Sequence, residues 1–375
     1  MRRKRRVLLI RNNTIDAYGG GELYQIMLAK QLVKFDIEPI ILSSCKKLRS
    51  RANKEGYVAK KALYCRIQNW SGIRNFLLPF YYIWQLLLFL YYCYIFITLR
   101  PSVVNIQSRD DMIAATLAAK ICRIRVLWTD HADFRNWTMM NVDKKFKNVI
   151  GKTILKLAKI PFGIILISNT DGNFFKSITK NLKLKNIFII QNGVEDSFEP
   201  TPKIIKDFYF VGRVTKEKGI YELVSAFNEV SRNNPDIKLH IFGDGEDLVD
   251  IQKNANKKII FHGYKENIAK LVVNYQYYVL PSYQEGLSLS LLEACMMKKT
   301  IIATDVGGNT EVIDGRNGLL IPAEDSNALK NAMEAILNDE KLSAKMAKNA
   351  RNTYEKNFNF DKIFKEKMLT LYDYK

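Results

Sequence analysis

Short apolar runs alternate with amphipathic stretches along most of the chain. Residues 6–11 predict a buried first strand, glycines 19–21 follow in a loop, and apolar side chains then recur at helical spacing over residues 22–34. A second strand is predicted at residues 39–43. This order of strand, glycine loop, helix and strand is a βαβ unit, which predicts a parallel sheet in an α/β fold.

The same alternation continues to residue 190 and starts again after residue 200. Further strands are predicted at 103–106, 126–129, 163–168, 187–190, 208–211, 238–242, 259–261, 278–280 and 300–303, and helices at 328–338, 344–357 and 361–372. The run Glu199-Pro-Thr-Pro202 is typical of a linker. We therefore predict a first domain over 1–198, a second over 199–358, and a terminal helix within 359–375 that packs back on the first domain.

The most ambiguous segment is residues 76–99, which carry no formal charge over 24 positions. Hydropathy alone predicts a transmembrane helix. However, the segment runs directly into the predicted strand 103–106, so a spanning helix would separate neighbouring strands of one sheet. Its many Phe, Tyr and Trp residues are typical of a membrane–water interface. We favour a domain helix whose exposed face enters the membrane surface, over a wholly buried helix and over a true span.

Charge is distributed unevenly along the 375 residues. The net charge is +20, of which residues 1–200 carry +19 and residues 201–375 carry +1. This asymmetry predicts an anionic partner for the first half, either nucleic acid or anionic lipid headgroups. The basic residues are not interleaved with the aromatic run, which disfavours nucleic acid. The basic run at residues 1–6 fits either a membrane-surface or nucleic-acid patch, or equally a solvated tail.

The five cysteines include no C-x-x-C pair, and their number is odd. A disulfide framework and a zinc site are therefore disfavoured, and a reducing, cytoplasmic location fits better. No signal peptide is predicted, because the apolar run after the basic residues is only four residues long.

The strongest chemical signal is a pair of glutamates eight positions apart, Glu285 and Glu293. Glu285 follows the strand 278–280, at the carboxyl end of the sheet, where open α/β sheets bind ligands. The loop at 286–288 offers backbone N–H groups at a helix N-terminus. Carboxylates accept hydrogen bonds from sugar or ribose hydroxyls. Glu285 as a helix cap and Glu293 as a surface residue remain the structural alternative.

A second signal follows the strand 208–211, where Gly212 is followed at once by cationic residues. Arg213 and Lys218 are placed to clamp a diphosphate and to neutralise the charge that grows as a nucleoside diphosphate leaves. Taken alone, these two residues could equally be ordinary surface charge.

Together, the Gly-Arg…Lys-Gly run at 212–219 and the Glu-x7-Glu run at 285–293 resemble the retaining family 4 glycosyltransferases of the GT-B fold. Further matching motifs span the chain in the family's order: Gly20-Gly21, Asp130-His131, Asn192-Gly193-Val194, Phe242-Gly243-Asp-Gly245, Phe261-His-Gly263 and Gly307-Gly308-Asn-Thr-Glu311. The resemblance implies two Rossmann-like domains with parallel sheets that face each other across a cleft.

The resemblance also implies a role for each matching position. The catalytic residues would be His131, at the reacting sugar, and Glu285, which holds the donor sugar. The donor would be bound by a set of residues from both domains: Gly20, Gly21, Arg213, Lys218, Gly243, Gly286, Leu287, Ser288, Leu289 and Glu293. In that set Arg213 and Lys218 would hold the diphosphate and Glu293 the ribose.

Two features depart from the family pattern. Ser288 stands where the family often has Gly or Pro, and the glycine loop lacks a nearby basic residue. No metal or other cofactor is expected, because a DxD motif in a suitable place is missing and Arg213 and Lys218 supply positive charge.

The function implied is transfer of a hexose or N-acetylhexosamine, with retention, from a nucleoside diphosphate sugar, with UDP favoured. The acceptor would be a lipid-linked or membrane-presented glycan in bacterial surface polysaccharide synthesis (lipopolysaccharide or capsule), and the enzyme would be peripheral on the inner face of the plasma membrane. A non-catalytic nucleotide-sugar-binding paralogue and a GT-B epimerase are the alternatives.

Overall fold

A computed structural model describes residues 5–13, 19–64, 78–131, 144–184 and 186–373. The basic run at 1–6 therefore lies largely outside the described residues. The chain forms two compact units, Met1–Gln191 with Phe364–Lys375, and Asn192–Ile363. These boundaries differ from the predicted 198 and 358, because backbone hydrogen bonds of 3.0 Å join Val194 to Phe358 and Phe360. The segment around Val194 and the segment around residues 358–360 therefore pair with each other inside the second unit.

The first unit is built on one parallel sheet with strand order β3-β2-β1-β4-β5-β6-β7. Its strands are β1 (Arg5–Ile10), β2 (Ile37–Ser43), β3 (Val58–Lys61), β4 (Val103–Ile106), β5 (Arg125–Asp130), β6 (Gly163–Leu166) and β7 (Ile187–Ile189). Its helices before the terminal segment are α1 (Gly20–Lys34), α2 (Lys46–Lys54), α3 (Leu78–Leu99), α4 (Met112–Ile121), α5 (Lys144–Leu157) and α6 (Asn169–Ile178). The strand order reverses between β1 and β4, so polar residues after these strands share one edge of the sheet.

The second unit is built on a six-stranded parallel sheet with order β10-β9-β8-β11-β12-β13. Its strands are β8 (Ile205–Val211), β9 (Leu239–Phe242), β10 (Ile259–Gly263), β11 (Tyr275–Leu280), β12 (Thr300–Thr304) and β13 (Leu319–Ile321). Its helices are α7 (Ile220–Asn233), α8 (Leu248–Asn254), α9 (Ile268–Val272), α10 (Leu289–Met296), α11 (Asn309–Val312), α12 (Ser326–Asn338), α13 (Glu340–Asn357) and α14 (Phe360–Ile363). The prediction of two Rossmann-like α/β domains is confirmed.

Helix α3 comes between β3 and β4 in chain order, and its two faces differ in exposure to solvent. The inward face is buried in the core of the first unit, with Tyr81, Leu88 and Tyr92 at its centre. The outward face is apolar and exposed; Leu86 is 58% and Tyr94 is 66% exposed. A wholly buried helix is therefore wrong. Among the described residues, α3 is also the one helix long and apolar enough to cross a membrane, by length and composition.

The terminal segment, predicted as one helix over 361–372, contains a π turn at Phe364–Met368, followed by α15 (Leu369–Tyr372). The predicted range is helical throughout, and the π turn is an irregularity inside the helix. The wider turn accompanies burial of Phe364 and Met368, and the buried Tyr372 hydroxyl accepts a hydrogen bond of 2.6 Å from Asn105 at the centre of the first sheet.

Candidate active site

The carboxyl ends of β8 and β11 bring two predicted site residues of the second unit together. Lys218 ends a short 3-10 turn after β8, and its Nζ lies 2.7 Å from Oε1 of Glu285. The Ser282 hydroxyl donates to the same carboxylate oxygen at 2.7 Å. Arg213 is exposed and makes no side-chain hydrogen bond with the residues that the structure describes. Lys218 is thus held in place by Glu285, while Arg213 is available to an anionic ligand.

Glu293 lies on α10 beside the buried tyrosines of β8 and β11. Burial raises the pKa of Glu293 to about 7. Within the described part of the chain, no hydrogen-bond donor reaches its carboxylate. The side chain is half-buried, and a carboxylate partly removed from water without a partner costs free energy in its ionised form. Glu293 is therefore suited to accept hydrogen bonds from ligand hydroxyls.

The loop at 286–288 leads directly into α10, whose first residue is the predicted donor-binding Leu289. Ser288 is the N-cap residue of this helix, and its hydroxyl accepts a hydrogen bond from the Leu291 amide at 3.4 Å. Glu285 is therefore not the helix cap, and the alternative reading of that residue is wrong. The Ser288 hydroxyl is occupied in capping the helix. A ligand at this loop would therefore accept hydrogen bonds from the backbone amides of Gly286 and Leu287, near the positive end of the helix dipole.

Close backbone approach explains the glycine after β9. Gly243 has φ of 148°, and a Cβ at this position would overlap the carbonyl oxygen of Gly212. The amides of Gly212 and Gly243 extend the ladder to Phe242 and Gly263, at 3.0 Å each. The loop after β9 can therefore pack against the loop after β8 only if residue 243 lacks a side chain.

Replacing Gly243 by alanine should lower the free energy of unfolding of the second unit by about 3 kcal/mol, because the overlap with Gly212 forces the backbone apart. Gly315→Ala is the matched control, since Gly315 also has positive φ, at 80°, but has nothing within 4 Å of its Cβ position. It should cost about 1 kcal/mol. Urea unfolding of both variants checks the difference, and equal losses would contradict the steric argument.

The remaining predicted site residues, Gly20, Gly21 and His131, lie in the first unit. His131 follows β5, and its Nε2 lies 2.6 Å from Oε1 of Gln107, which follows β4. The ring of Tyr24 packs edge-on against the imidazole, with centroids 4.5 Å apart. Burial lowers the pKa of His131 to about 3, with a smaller effect from the Arg11 charge. The imidazole is therefore neutral at physiological pH.

A basic residue does approach the glycine loop, contrary to the sequence-based expectation. Arg11 follows β1, and its guanidinium lies where a Cβ on Gly21 would stand. Glu22 holds it at 3.1 Å and accepts from the Gly19 amide at 3.1 Å. Sequence analysis missed this arrangement, although Glu22 stands at the capping-box position of α1 and Arg11 ends the predicted first strand. A guanidinium paired with Glu22 therefore lies at the N-terminus of α1.

The described residues contain no group of three His, Cys, Asp or Glu side chains arranged to hold a metal ion. Metal-independent chemistry stays a prediction.

Comparisons with known proteins agree with the fold. The family model for Glycosyltransferase Family 4 matches residues 18–198, and that for Glycosyl transferases group 1 matches residues 195–353. A relative from Escherichia coli, "UDP-Gal:alpha-D-GlcNAc-diphosphoundecaprenol alpha-1,3-galactosyltransferase", is 30% identical and covers 70% of this chain and 73% of its own. The Staphylococcus aureus "capsular polysaccharide biosynthesis glycosyltransferase CapM" is 27% identical and covers 71% and 75%.

Solved structures share the fold over nearly the whole chain. HepE of Anabaena in complex with UDP superposes with a TM-score of 0.76 at 15% identity, covering 98% of this chain and 99% of that one. TarM superposes with a TM-score of 0.75 at 15% identity, covering 100% and 99%. The fold, the ordered motifs and the relatives lead to one conclusion: this chain belongs to the family 4 glycosyltransferases of the GT-B fold.

Proposed function

We propose that this glycosyltransferase transfers a hexose or N-acetylhexosamine from a UDP-sugar, with retention, to a lipid-linked or membrane-presented glycan acceptor in bacterial surface polysaccharide synthesis. The observation that carries the proposal is the arrangement of Lys218, Glu285 and Glu293 at the carboxyl end of the second sheet. The relatives add support: HepE is seen with UDP and UDP-glucose, and the Escherichia coli relative is named for UDP-Gal and a diphosphoundecaprenol-linked acceptor. Retention is proposed from the family resemblance of the motifs at 212–219 and 285–293.

Each residue of this arrangement has a chemistry suited to part of the donor. Lys218 and Arg213 stabilise the negative charge that develops on the departing diphosphate, without a metal ion. Glu285, already a hydrogen-bond acceptor for Ser282, accepts from hydroxyls of the transferred sugar. Glu293, half-buried and without a hydrogen-bond partner in the described chain, accepts from the ribose.

Calorimetry with a panel of nucleoside diphosphates and nucleotide sugars tests the proposal, first without metal and then with Mg²⁺. UDP and one UDP-sugar should bind without metal, with an affinity that Mg²⁺ leaves unchanged. Incubation of that sugar with diphosphopolyprenol-linked glycans then identifies the acceptor, and NMR of the product reports the anomeric configuration. Binding that requires Mg²⁺, or no nucleotide binding at all, would contradict the donor assignment.

The exposed face of α3 supports an anionic membrane surface as the place where the acceptor is met. Exposed cations flank α3 in the first unit. Tyr91 donates to the Lys61 carbonyl at 3.3 Å, which places the exposed Lys60–Lys61 pair beside the helix. On another side Tyr82 contacts Thr153 of α5 at 3.1 Å, next to the exposed Lys152. An apolar stripe bordered by lysines matches the acyl chains and headgroups of an anionic bilayer, and such a location is peripheral on the cytoplasmic leaflet.

Replacing Leu86 and Leu90 by serine should weaken binding to anionic phosphatidylglycerol vesicles by roughly 30- to 100-fold, because two inserted side chains lose roughly 2 to 3 kcal/mol. Val249→Ser is the matched control, since Val249 is 70% exposed on α8 of the second unit. Vesicle co-sedimentation checks both variants. Wild-type protein that stays in the supernatant with anionic vesicles would show that the interfacial proposal is wrong.

A further inference from the structure

Two buried glutamines form a chain of hydrogen bonds that ends at His131 in the first unit. Gln25 lies on α1 and Gln107 follows β4, and they are 0% and 3% exposed. Their amides form a reciprocal pair: Gln107 Nε2 donates to Gln25 Oε1 at 2.9 Å, and Gln25 Nε2 donates back to Gln107 Oε1. The same Gln107 oxygen lies 2.6 Å from Nε2 of His131. The pair is thus the direct neighbour of the predicted catalytic imidazole.

The orientation of this pair is fixed by the first turn of α1. Gln25 Nε2 also lies 3.2 Å from the carbonyl oxygen of Gly21. A carbonyl oxygen only accepts hydrogen bonds, so the NH₂ end of Gln25 must face Gly21. The Oε1 end of Gln25 then faces Gln107 Nε2, and Gln107 is left with its oxygen toward His131. Rotating both amides would bring two oxygens together at Gly21, which disfavours the opposite arrangement.

This orientation determines which nitrogen of His131 carries the proton. Gln107 Oε1 can only accept, so Nε2 must be the protonated nitrogen of a neutral imidazole, and Nδ1 keeps its lone pair. Among the residues that the structure describes, none forms a hydrogen bond with Nδ1. Burial keeps the ring neutral, and the Arg11 charge adds to this effect. The nearby carboxylates do not oppose it, because Glu22 is paired with Arg11 and the adjacent Asp130 accepts two bonds of 2.9 Å from Arg109.

We propose that Gln25 and Gln107 are positioning residues that hold His131 as the Nε2–H tautomer, so that Nδ1 accepts a hydrogen bond from a hydroxyl of the donor sugar. The hydroxyl contact rests on the proposed function, whereas the tautomer rests on the hydrogen bonds of the first unit alone. The inference also links the glycine loop to the catalytic histidine, since the Gly21 carbonyl sets the direction of the whole chain of hydrogen bonds.

The tautomer can be measured directly, because the chain has only three histidines. Long-range ¹H–¹⁵N correlation spectra of the full-length protein labelled with ¹⁵N-histidine distinguish Nε2–H, Nδ1–H and imidazolium forms. His240 and His262, paired at 2.9 Å in the second unit, are internal references. We expect Nε2–H for His131 throughout about pH 5.5 to 8. A dominant Nδ1–H form, or an imidazolium in this range, would overturn the proposal.

Gln107→Glu tests the consequence for catalysis. A carboxylate at this position favours the imidazolium, so His131 should begin to titrate near neutral pH and lose its acceptor below its new pKa. We expect kcat to fall by about tenfold as pH drops from about 8 to 6, with the KM of the acceptor unchanged and with no such fall in wild type. A pH profile identical to wild type, despite a titrating His131, would show that Nδ1 does not serve the reaction.

Gln25→Leu adds no charge and frees the Gln107 amide to rotate. It should give a mixture of both neutral tautomers, with the references unmoved and thermal unfolding reporting that the fold is kept. A single Nε2–H form in this variant would contradict the role of Gln25. The spectra need no substrate, so the tautomer is decided even if no nucleotide sugar supports transfer, and that kinetic failure would count against the proposed function alone.

Discussion

Lys218→Ala should lower kcat/KM for sugar transfer by about 1,000-fold, which corresponds to about 4 kcal/mol of transition-state stabilisation. The Lys218 side chain is only 20% exposed, so its charge acts on a leaving diphosphate with little screening by water. Its removal also leaves the Glu285 carboxylate uncompensated beside the departing charge. Steady-state kinetics with the donor identified by calorimetry measures the loss, which should appear in kcat because the charge grows in the transition state.

Lys216→Ala is the matched control for this experiment. Lys216 opens the same turn, and its side chain is exposed, while its backbone amide donates to Asp247 at 2.6 Å and is kept in the variant. Its kcat/KM should stay within about twofold of wild type. The double variant Lys218→Ala/Glu285→Gln should bind UDP more tightly than Lys218→Ala alone, because the unpaired carboxylate is neutralised. Near-normal transfer by Lys218→Ala would contradict the diphosphate role.

The strands and the residues directly after them could be predicted from the sequence. Glu285, Arg213 and His131 each follow a short apolar run, and in a parallel sheet such positions share one edge. The separation of Lys218 from Glu285 along the chain is long, yet both belong to loops at that edge and end 2.7 Å apart. These positions are predictable because the same local pattern repeats along the chain: a short apolar strand is followed by a glycine or a charged residue.

The features that could not be predicted from the sequence depend on contacts between residues that are not neighbours along the chain. Arg11 is one of 58 Lys and Arg residues, and nothing in its immediate sequence shows that its guanidinium turns back onto Gly21. The amide pair of Gln25 and Gln107 joins positions 82 residues apart. The π turn at Phe364–Met368 follows from which side chains the core accepts. Such contacts are set by three-dimensional packing and carry no periodic signal.

The ionisation of Glu293 should make UDP binding depend on pH. The pKa of Glu293 is raised from 4.5 to about 7, so its carboxyl titrates near physiological pH. Ribose hydroxyls donate to the ionised carboxylate and favour it. UDP affinity should therefore be greatest above pH 7, weaken by about tenfold per pH unit as pH falls below about 7, and level off at the pKa of the complex. Binding should release a proton, measurable by calorimetry in buffers of different ionisation enthalpy.

Glu293→Gln separates this effect from the nucleotide's own titration, since the terminal phosphate of UDP also changes charge near neutral pH. In the variant only the phosphate contribution should remain, with weaker affinity above pH 7 because an amide oxygen is a poorer acceptor than a carboxylate. The same substitution bears on stability. Because the folded-state pKa is raised, ionising Glu293 destabilises the free protein as pH rises from about 4.5 to about 7. The variant should lose this part of the pH dependence of stability. The same carboxylate thus lowers the free energy of unfolding of the free enzyme and raises its affinity for UDP. Identical proton release by both proteins would exclude Glu293 from the ribose site.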